Sequence, residues 1–303
     1  MIFPISGVEI SPLIPPLIAF LIAAISSTAG ITGAFLLLPV QMSLFGFTSP
    51  AVTATNHLYN VFAGIGGPIR FKKEGRLLKP LFLYLIVGTV PGIISGVYIR
   101  IHILPNPLYF KMFAGCVMML LGFLILLRNR RPVSENKSLA NSGNDSIIDI
   151  SQISFSSFRF SLLGVNYSVN MFLVVLVSFW VGVISGSYGM GGGTLNTAML
   201  VAIFGLPIYA TAGATMLCTF VSSLTGVISF TIFSKLSEIS TQQPISPDWL
   251  LGSLLGIGGI LGTYFGAYIQ KFITPKSLRR ILAVLIWMIS IRYIASYLSN
   301  IFN

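Results

Sequence analysis

Five glycines fall within twelve residues in the stretch S-G-S-Y-G-M-G-G-G-T-L-N, Ser185 to Asn196. A sparser pair, Gly30 and Gly33, stands in the first half of the chain. Both clusters sit between apolar runs. Glycine lacks a Cβ, so the backbone turns freely and its N–H groups stay open to approach. In hydrocarbon such groups must be satisfied by protein, water or a ligand. A helix that starts at such a loop aims its first N–H groups and the positive end of its dipole at one point. That chemistry holds an anion without a buried Lys or Arg. The candidate site residues on this account are Gly30, Thr32, Gly33, Gly189, Gly191, Gly192, Gly193 and Thr194. A tight packing turn without ligand is the competing account. Thr28, Ser187 and Asn196 flank the clusters and could cap a half-helix.

Side chains could complete the shell. Thr53, Asn56, His57 and Asn60 recur at helical spacing and share a face. The matching face of the second half carries Thr215 and Thr219. Threonine and asparagine donate hydrogen bonds, and a protonated histidine adds charge. Asn56, His57 and Thr215 therefore join the candidates, with interhelical hydrogen bonding as the alternative. The seven acids, Glu9, Glu74, Glu135, Asp145, Asp149, Glu238 and Asp248, fall in termini or loops. That argues against a carboxylate proton relay and against a metal-cation site. Cys116 and Cys218 are isolated, with neither CxxC spacing nor a neighbouring histidine. HExxH, GxSxG and paired carboxylates within a span are absent from the sequence. The reading is therefore not an enzyme, with no metal and no cofactor.

The elements that must position these residues are membrane helices. The 303 residues are 54% hydrophobic and 8% charged, against about 25% charged in soluble domains. Mean hydropathy is +0.89. Several uncharged runs approach the ~20 residues that a spanning helix needs. The net charge of +11 gathers at the ends of these runs and reads as a topology signal, so no nucleic-acid partner is expected. The first basic residue is Arg70, so the first apolar run reads as a membrane segment rather than a cleaved signal peptide.

The chain repeats itself. Gly30, Gly33, Leu36, Phe45-Gly46, Ala51 and Gly67 match Gly189, Gly192, Leu195, Phe204-Gly205, Ala210 and Gly226 at one offset of 159 residues. Gly88, Gly92 and Gly96 match Gly258, Gly262 and Gly266 at an offset of 170. These two stripes have the small-xxx-small spacing of close helix packing. The expected domains are a first repeat, 1–127, a flexible cytoplasmic linker, 128–169, and a second repeat, 170–303. Five segments are expected in each: 12–29, 33–47, 50–70, 80–100 and 108–127, then 170–187, 190–205, 209–233, 250–270 and 278–298. The second of each is short for a full span.

Charge orients the halves. The loop R-F-K-K-E-G-R-L-L-K is basic and reads as cytoplasmic, as do the linker from Arg128 and Lys271–Arg280. The loop matching the first, Ser234–Asp248, carries one Lys against Glu238 and Asp248 and reads as external. Equivalent loops facing opposite sides make an inverted repeat, with both termini external. Arg100, His102 and Lys111 beside an external hairpin count against this, more weakly.

Four segments resemble the sulfite exporter TauE/SafE family: A-G-I-T-G-A-F-L-L-L-P (Ala29–Pro39), A-V-T-A-T-N (Ala51–Asn56), S-G-S-Y-G-M-G-G-G-T-L (Ser185–Leu195) and A-T-A-G-A-T (Ala210–Thr215). The chain departs from that pattern at Thr32 and Ala34, where a fuller glycine run is typical, and at Ala198, where proline is common. The resemblance implies an inner-membrane carrier of sulfur-containing anions such as sulfite, thiosulfate or sulfonates. The combined expectation is an all-α polytopic membrane protein of two inverted repeats with helices broken at the glycine motifs. It binds a small anion at the midplane and exports it across the bilayer. Carriage of a different small solute and a membrane scaffold or assembly factor are the alternatives. The sequence leaves a homo-oligomer open.

Overall fold

The computed structural model describes residues 1–28, 32–65, 78–127, 148–153, 157–162, 165–206, 208–237, 243–269 and 275–302. Ten helices are found among them: α1 (Ile14–Thr28), α2 (Ala34–Ser43), α3 (Ala51–Ala63), α4 (Lys79–His102), α5 (Pro107–Leu127), α6 (Met171–Tyr188), α7 (Gly192–Ala202), α8 (Ile208–Ser237), α9 (Trp249–Ile269) and α10 (Pro275–Phe302). Each coincides with one expected segment. Five of the described helices are long and apolar enough to cross a bilayer. Their outer faces carry large exposed apolar side chains, for example Leu83, Val87 and Ile94 on α4 and Ile257, Leu261 and Phe265 on α9. The small residues point inward.

The all-α expectation needs one correction. Three strands, β1 (Ile148–Ile153), β2 (Ser157–Leu162) and β3 (Val165–Asn170), form an antiparallel sheet in the order β1-β2-β3. Ser157 pairs with Asn170 and Leu162 with Val165. They occupy part of the stretch expected to be a flexible linker, because apolar and polar residues alternate there with a period of two. Residues 128–147 of that stretch, and the basic loop at 66–77, lie outside the described residues. Phe158, Phe160 and Val169 are buried against Leu78, Leu81 and Leu85 of the α4 end and Leu206 after α7. Asn170 then caps α6 by accepting from the N–H groups of Phe172 and Leu173.

The opposite end of the bundle is fastened by two charged residues. Asp248 is buried at the N-terminus of α9. Its carboxylate accepts from the N–H groups of Ile5, Ser6 and Leu251 and from the Ser6 hydroxyl, which pins the N-terminal hairpin. Arg100, near the C-terminus of α4, is fully buried. It donates to Thr53 Oγ1 and to the carbonyls of Thr48 and Leu104, and its guanidinium lies 3.7 Å from the Phe110 ring centroid. Hydrogen bonds to charged groups contribute about 1.5–3 kcal/mol each. These two side chains join the N-terminus, the 44–50 loop, the α4–α5 turn and the start of α9 at one end. The sheet lies at the other.

The most intimate packing crosses between the halves. α4 lies along α6, and α1 along α9. A Cβ on Gly88, Gly92 or Gly96 would run into the carbonyl oxygens of Val175, Phe179 and Val183 in turn. A Cβ on Gly258, Gly262 or Gly266 would run into those of Pro16, Phe20 and Ala24. Pro16, Phe20 and Ala24 stand 159 residues before Val175, Phe179 and Val183. Both contacts thus use the same register. Without Cβ atoms the backbones approach closely, and dispersion replaces the hydrophobic effect that lipid cannot supply.

Gly92→Ala forces a methyl into the Phe179 carbonyl and separates α4 from α6. The expected destabilisation is about 1–3 kcal/mol, read as a lower melting temperature in detergent. Gly262→Ala meets the Phe20 carbonyl in the same way, and a comparable drop is expected. A neutral result for either contradicts this packing.

Candidate functional site

α2 and α7 have only 10 and 11 residues. At 1.5 Å per residue each is about 15–17 Å long, half of a ~30 Å hydrocarbon core. They run to opposite ends of the bundle. α2 leads to the 44–50 loop beside Arg100, and α7 leads to Leu206 beside the sheet. Both stop in the same way. The N–H of Phe47 reaches the carbonyl of Gln41, and that of Leu206 reaches Leu200, across Gly46 and Gly205 at φ 67°. This six-residue closure needs a left-handed residue, which glycine adopts without steric cost.

Their N-termini meet inside the protein. α6 ends at Tyr188, Gly189 is left-handed at φ 91°, and Gly191 at φ 68° precedes the first residue of α7. Gly33 precedes α2, and its carbonyl accepts from the N–H groups of Leu36 and Leu37. Across the junction Thr32 Oγ1 lies 3.0 Å from Thr194 Oγ1. Tyr188 adds a second cross-link. Pro39 has no N–H to give to the Phe35 carbonyl, and the Tyr188 hydroxyl donates to that carbonyl at 2.7 Å.

Between the two N-termini lies a cavity of about 160 Å³. Thr32 and Gly33 line it from the start of α2, and Gly193, Thr194 and Thr197 from the start of α7. Ser27 comes from the end of α1, Tyr59, Ala63 and Gly64 from α3 and its end. Thr215, Met216 and Thr219 of α8 and Thr263 of α9 close it. Eight of these thirteen residues carry a hydroxyl and none is charged. Several hydroxyls already donate to backbone carbonyls: Ser27 to Ala24, Thr197 to Gly193, Thr215 to Thr211 and Thr219 to Thr215.

The structure thus brings Thr32, Gly33, Gly193, Thr194 and Thr215 together around one cavity. Gly30 lies outside the described residues. Asn56 and His57 are fully buried but do not line the cavity. Asn56 donates to the carbonyls of Ala34 and Gly189 and accepts from Gln41. His57 Nε2 makes a long 3.5 Å contact with the Gly186 carbonyl, and its ring fills the space that Gly226 leaves on α8. Asn60 also donates to the Gly189 carbonyl. This polar face therefore satisfies the carbonyls freed where α6 ends. Gly189, Gly191 and Gly192 shape the break from behind. A Cβ at Gly189 would crowd Thr53 and Asn56, one at Gly191 Ser223, and one at Gly192 Thr89. The Gly192 N–H donates to Ser222 Oγ at 2.8 Å. Asn196 binds Thr89 and Ser178 and ties α7 to α4 and α6.

Sequence reasoning missed Ser27, Tyr59, Ala63, Gly64, Thr197, Met216 and Thr263. Thr197 and Thr263 were legible as hydroxyls within apolar runs. Tyr59 lies on the flank of α3 beside the polar face, and its aromatic character masked it.

Asn56→Ala removes the donor shared by the carbonyls of Ala34 and Gly189. The expected cost is about 1–3 kcal/mol for leaving buried partners unsatisfied, measured as a lower melting temperature without any ligand. Unchanged stability would mean that Asn56 does not hold the break.

The profile of the family described as Sulfite exporter TauE/SafE matches residues 16–293. The probable membrane transporter protein YunE of Bacillus subtilis (strain 168) is 23% identical over 279 residues, 89% of this chain and 92% of that protein. The probable membrane transporter protein YdhB of the same organism is 29% identical over 119 residues, 39% of this chain and 44% of that protein. No solved structure matches the chain. With the family profile covering both glycine motifs and nearly every helix, this chain belongs to the TauE/SafE family of membrane transporters.

Proposed function

We propose that the chain carries small sulfur-containing oxyanions, such as sulfite, thiosulfate or a sulfonate, and exports them through the cavity between α2 and α7. The observation that carries this reading is the meeting of two helix N-termini on an uncharged, hydroxyl-rich cavity. N-terminal N–H groups and their dipoles favour an anion. A carboxylate there would repel it, and none lines the cavity among the described residues.

Two inverted repeats are the architecture that fits this site. The first helix of each half packs on the fourth of the other, and α3 on α8 and α5 on α10 are like with like. Short helices entering from opposite ends are the form in which inverted-repeat carriers build a midplane site. On this reading the bulk of the chain lies in the inner membrane, with the linker and its sheet cytoplasmic and both termini external. The interior-negative potential then favours anion export by about 2.3 kcal/mol per charge per 100 mV, so export needs no coupling ion.

The test is flux of labelled sulfite, thiosulfate and methanesulfonate from proteoliposomes, comparing wild type with Thr194→Val. This variant keeps the side-chain shape, removes the cavity hydroxyl and breaks its bond to Thr32. Saturable anion flux in the wild type, reduced about tenfold or more in the variant as expected for losing a hydrogen bond to a charged group, supports the reading. Absence of flux of all three anions, or selectivity for a cation, overturns it.

A further inference from the structure

We infer that Tyr59 is the residue that selects the anion, its hydroxyl donating to an oxygen of the substrate at the N-terminus of α2. The inference rests on the anion-carrier reading above and names the donor in that site.

Tyr59 is fully buried and lines the cavity. Its hydroxyl has no hydrogen-bond partner among the described residues. A buried, unsatisfied hydroxyl costs about 1–3 kcal/mol, so it persists where something else recovers that cost. Two glycines set its position. A Cβ on Gly259 of α9 would strike Tyr59 Cε2, so that glycine leaves a slot for the ring. A Cβ on Gly33 would lie 3.0 Å from Tyr59 Oη, so the hydroxyl stands beside the start of α2. It therefore points to the place where the helix dipole already favours negative charge.

Its neighbours strengthen the assignment. Ser27 and Thr219 donate to the carbonyls of Ala24 and Thr215, and Thr197 and Thr215 hydrogen-bond to each other at 2.7 Å and to carbonyls of their own helices, so these hydroxyls are engaged within the protein. Thr32 and Thr194 share a hydrogen bond with each other. Tyr59 is the fully buried lining side chain whose hydroxyl has no hydrogen-bond partner among the described residues. An oxyanion oxygen is a strong acceptor for it, and an O–H···O⁻ bond is shorter and about twice as strong as a neutral one. A solute without an exposed acceptor oxygen leaves the hydroxyl unpaired and is rejected, as sites built around a buried polar group reject analogues that cannot satisfy it.

The experiment measures binding of sulfite, thiosulfate and methanesulfonate to the purified full chain by calorimetry, for wild type and Tyr59→Phe, with melting temperatures in the absence of anion. Phenylalanine keeps the ring in its slot on Gly259. Tyr59→Phe is expected to bind the wild type's ligand about 10- to 100-fold more weakly, the fold-change for one charge-assisted hydrogen bond. Its ligand-free melting temperature should equal or exceed that of the wild type, because an unpaired hydroxyl has gone. Equal affinity in the two proteins, or a ligand-free destabilisation, overturns the assignment while leaving the carrier reading standing. If the wild type binds none of the three anions, the carrier reading falls and takes this inference with it. Gly33→Ala is the second variant, since its methyl crowds the Tyr59 hydroxyl, together with Ile22 and Ala23 of α1, with the tyrosine retained. It too should weaken binding, and unchanged affinity counts against the assignment.

Discussion

Hydrocarbon offers no hydrogen bonds, and two helices of this protein, at 10 and 11 residues, are only about half as long as a bilayer core is thick. Everything near the centre of the fold follows from that constraint. The ends of α6 and the starts of α2 and α7 expose backbone groups that water would otherwise satisfy. Asn56 and Asn60 supply donors to the Gly189 carbonyl, Ser222 accepts from the Gly192 N–H, and Tyr188 replaces the bond that Pro39 removes from Phe35. Each of these partners sits on a helix other than the one it repairs. The break is therefore a product of tertiary packing, and its stability is that of the whole bundle.

That packing depends on backbone approach. The glycine stripes of α4 and α9 let carbonyl oxygens of α6 and α1 come where a methyl group would otherwise be. Large apolar side chains are displaced to the outer face, where lipid takes them without cost. On these two helices large apolar residues thus cover the outer face as well as part of the inner one, where a soluble helix would turn polar residues outward. The packing also fixes the relative height of the two halves, because the carbonyl contacts repeat every four residues along both helix pairs. A shift of one residue would break all three contacts at once.

Much of this was legible in the sequence, and for physical reasons. In a chain with 8% charged residues, an apolar run of spanning length has little to be except a membrane helix, so each of the ten described helices overlaps one expected segment, though α2 and α3 end short of theirs. The Gly189–Gly193 break was legible because glycine density of that kind has no use inside an unbroken helix. The strands were missed although their signal was present: Phe158, Phe160 and Leu162 alternate with Arg159 and Ser161, and Val165, Tyr167 and Val169 alternate with polar neighbours. The polar sequence before them hides that alternation. The candidate site was half legible. The polar face of α3 suggests a ligand, whereas Asn56, His57 and Asn60 face freed carbonyls. A polar group in a membrane helix has the same composition whether it serves substrate or backbone, and only its neighbours across the bundle separate the two.

The difference between the halves accounts for where the cavity lies. In the proposed repeat Asn56, His57 and Asn60 correspond to Thr215, Met216 and Thr219, each 159 residues on. The first set is long enough to reach Gly186 and Gly189, and it fills its side of the junction completely. The second set is led by threonines that fold back on their own helix at Thr211 and Thr215. Side chains that bond to their own backbone occupy less of the interhelical space, and about 160 Å³ remains open beside them. Two halves with one backbone plan therefore present a packed polar seam on one side and a hydroxyl-lined cavity on the other. The same substitution pattern sets Tyr59 against Cys218, whose sulfur contacts Thr89 and Asn196. The phenol is thus found only on the side that has room for a ligand. Divergence between the halves, rather than the glycine motifs they share, decides which side of the junction stays open.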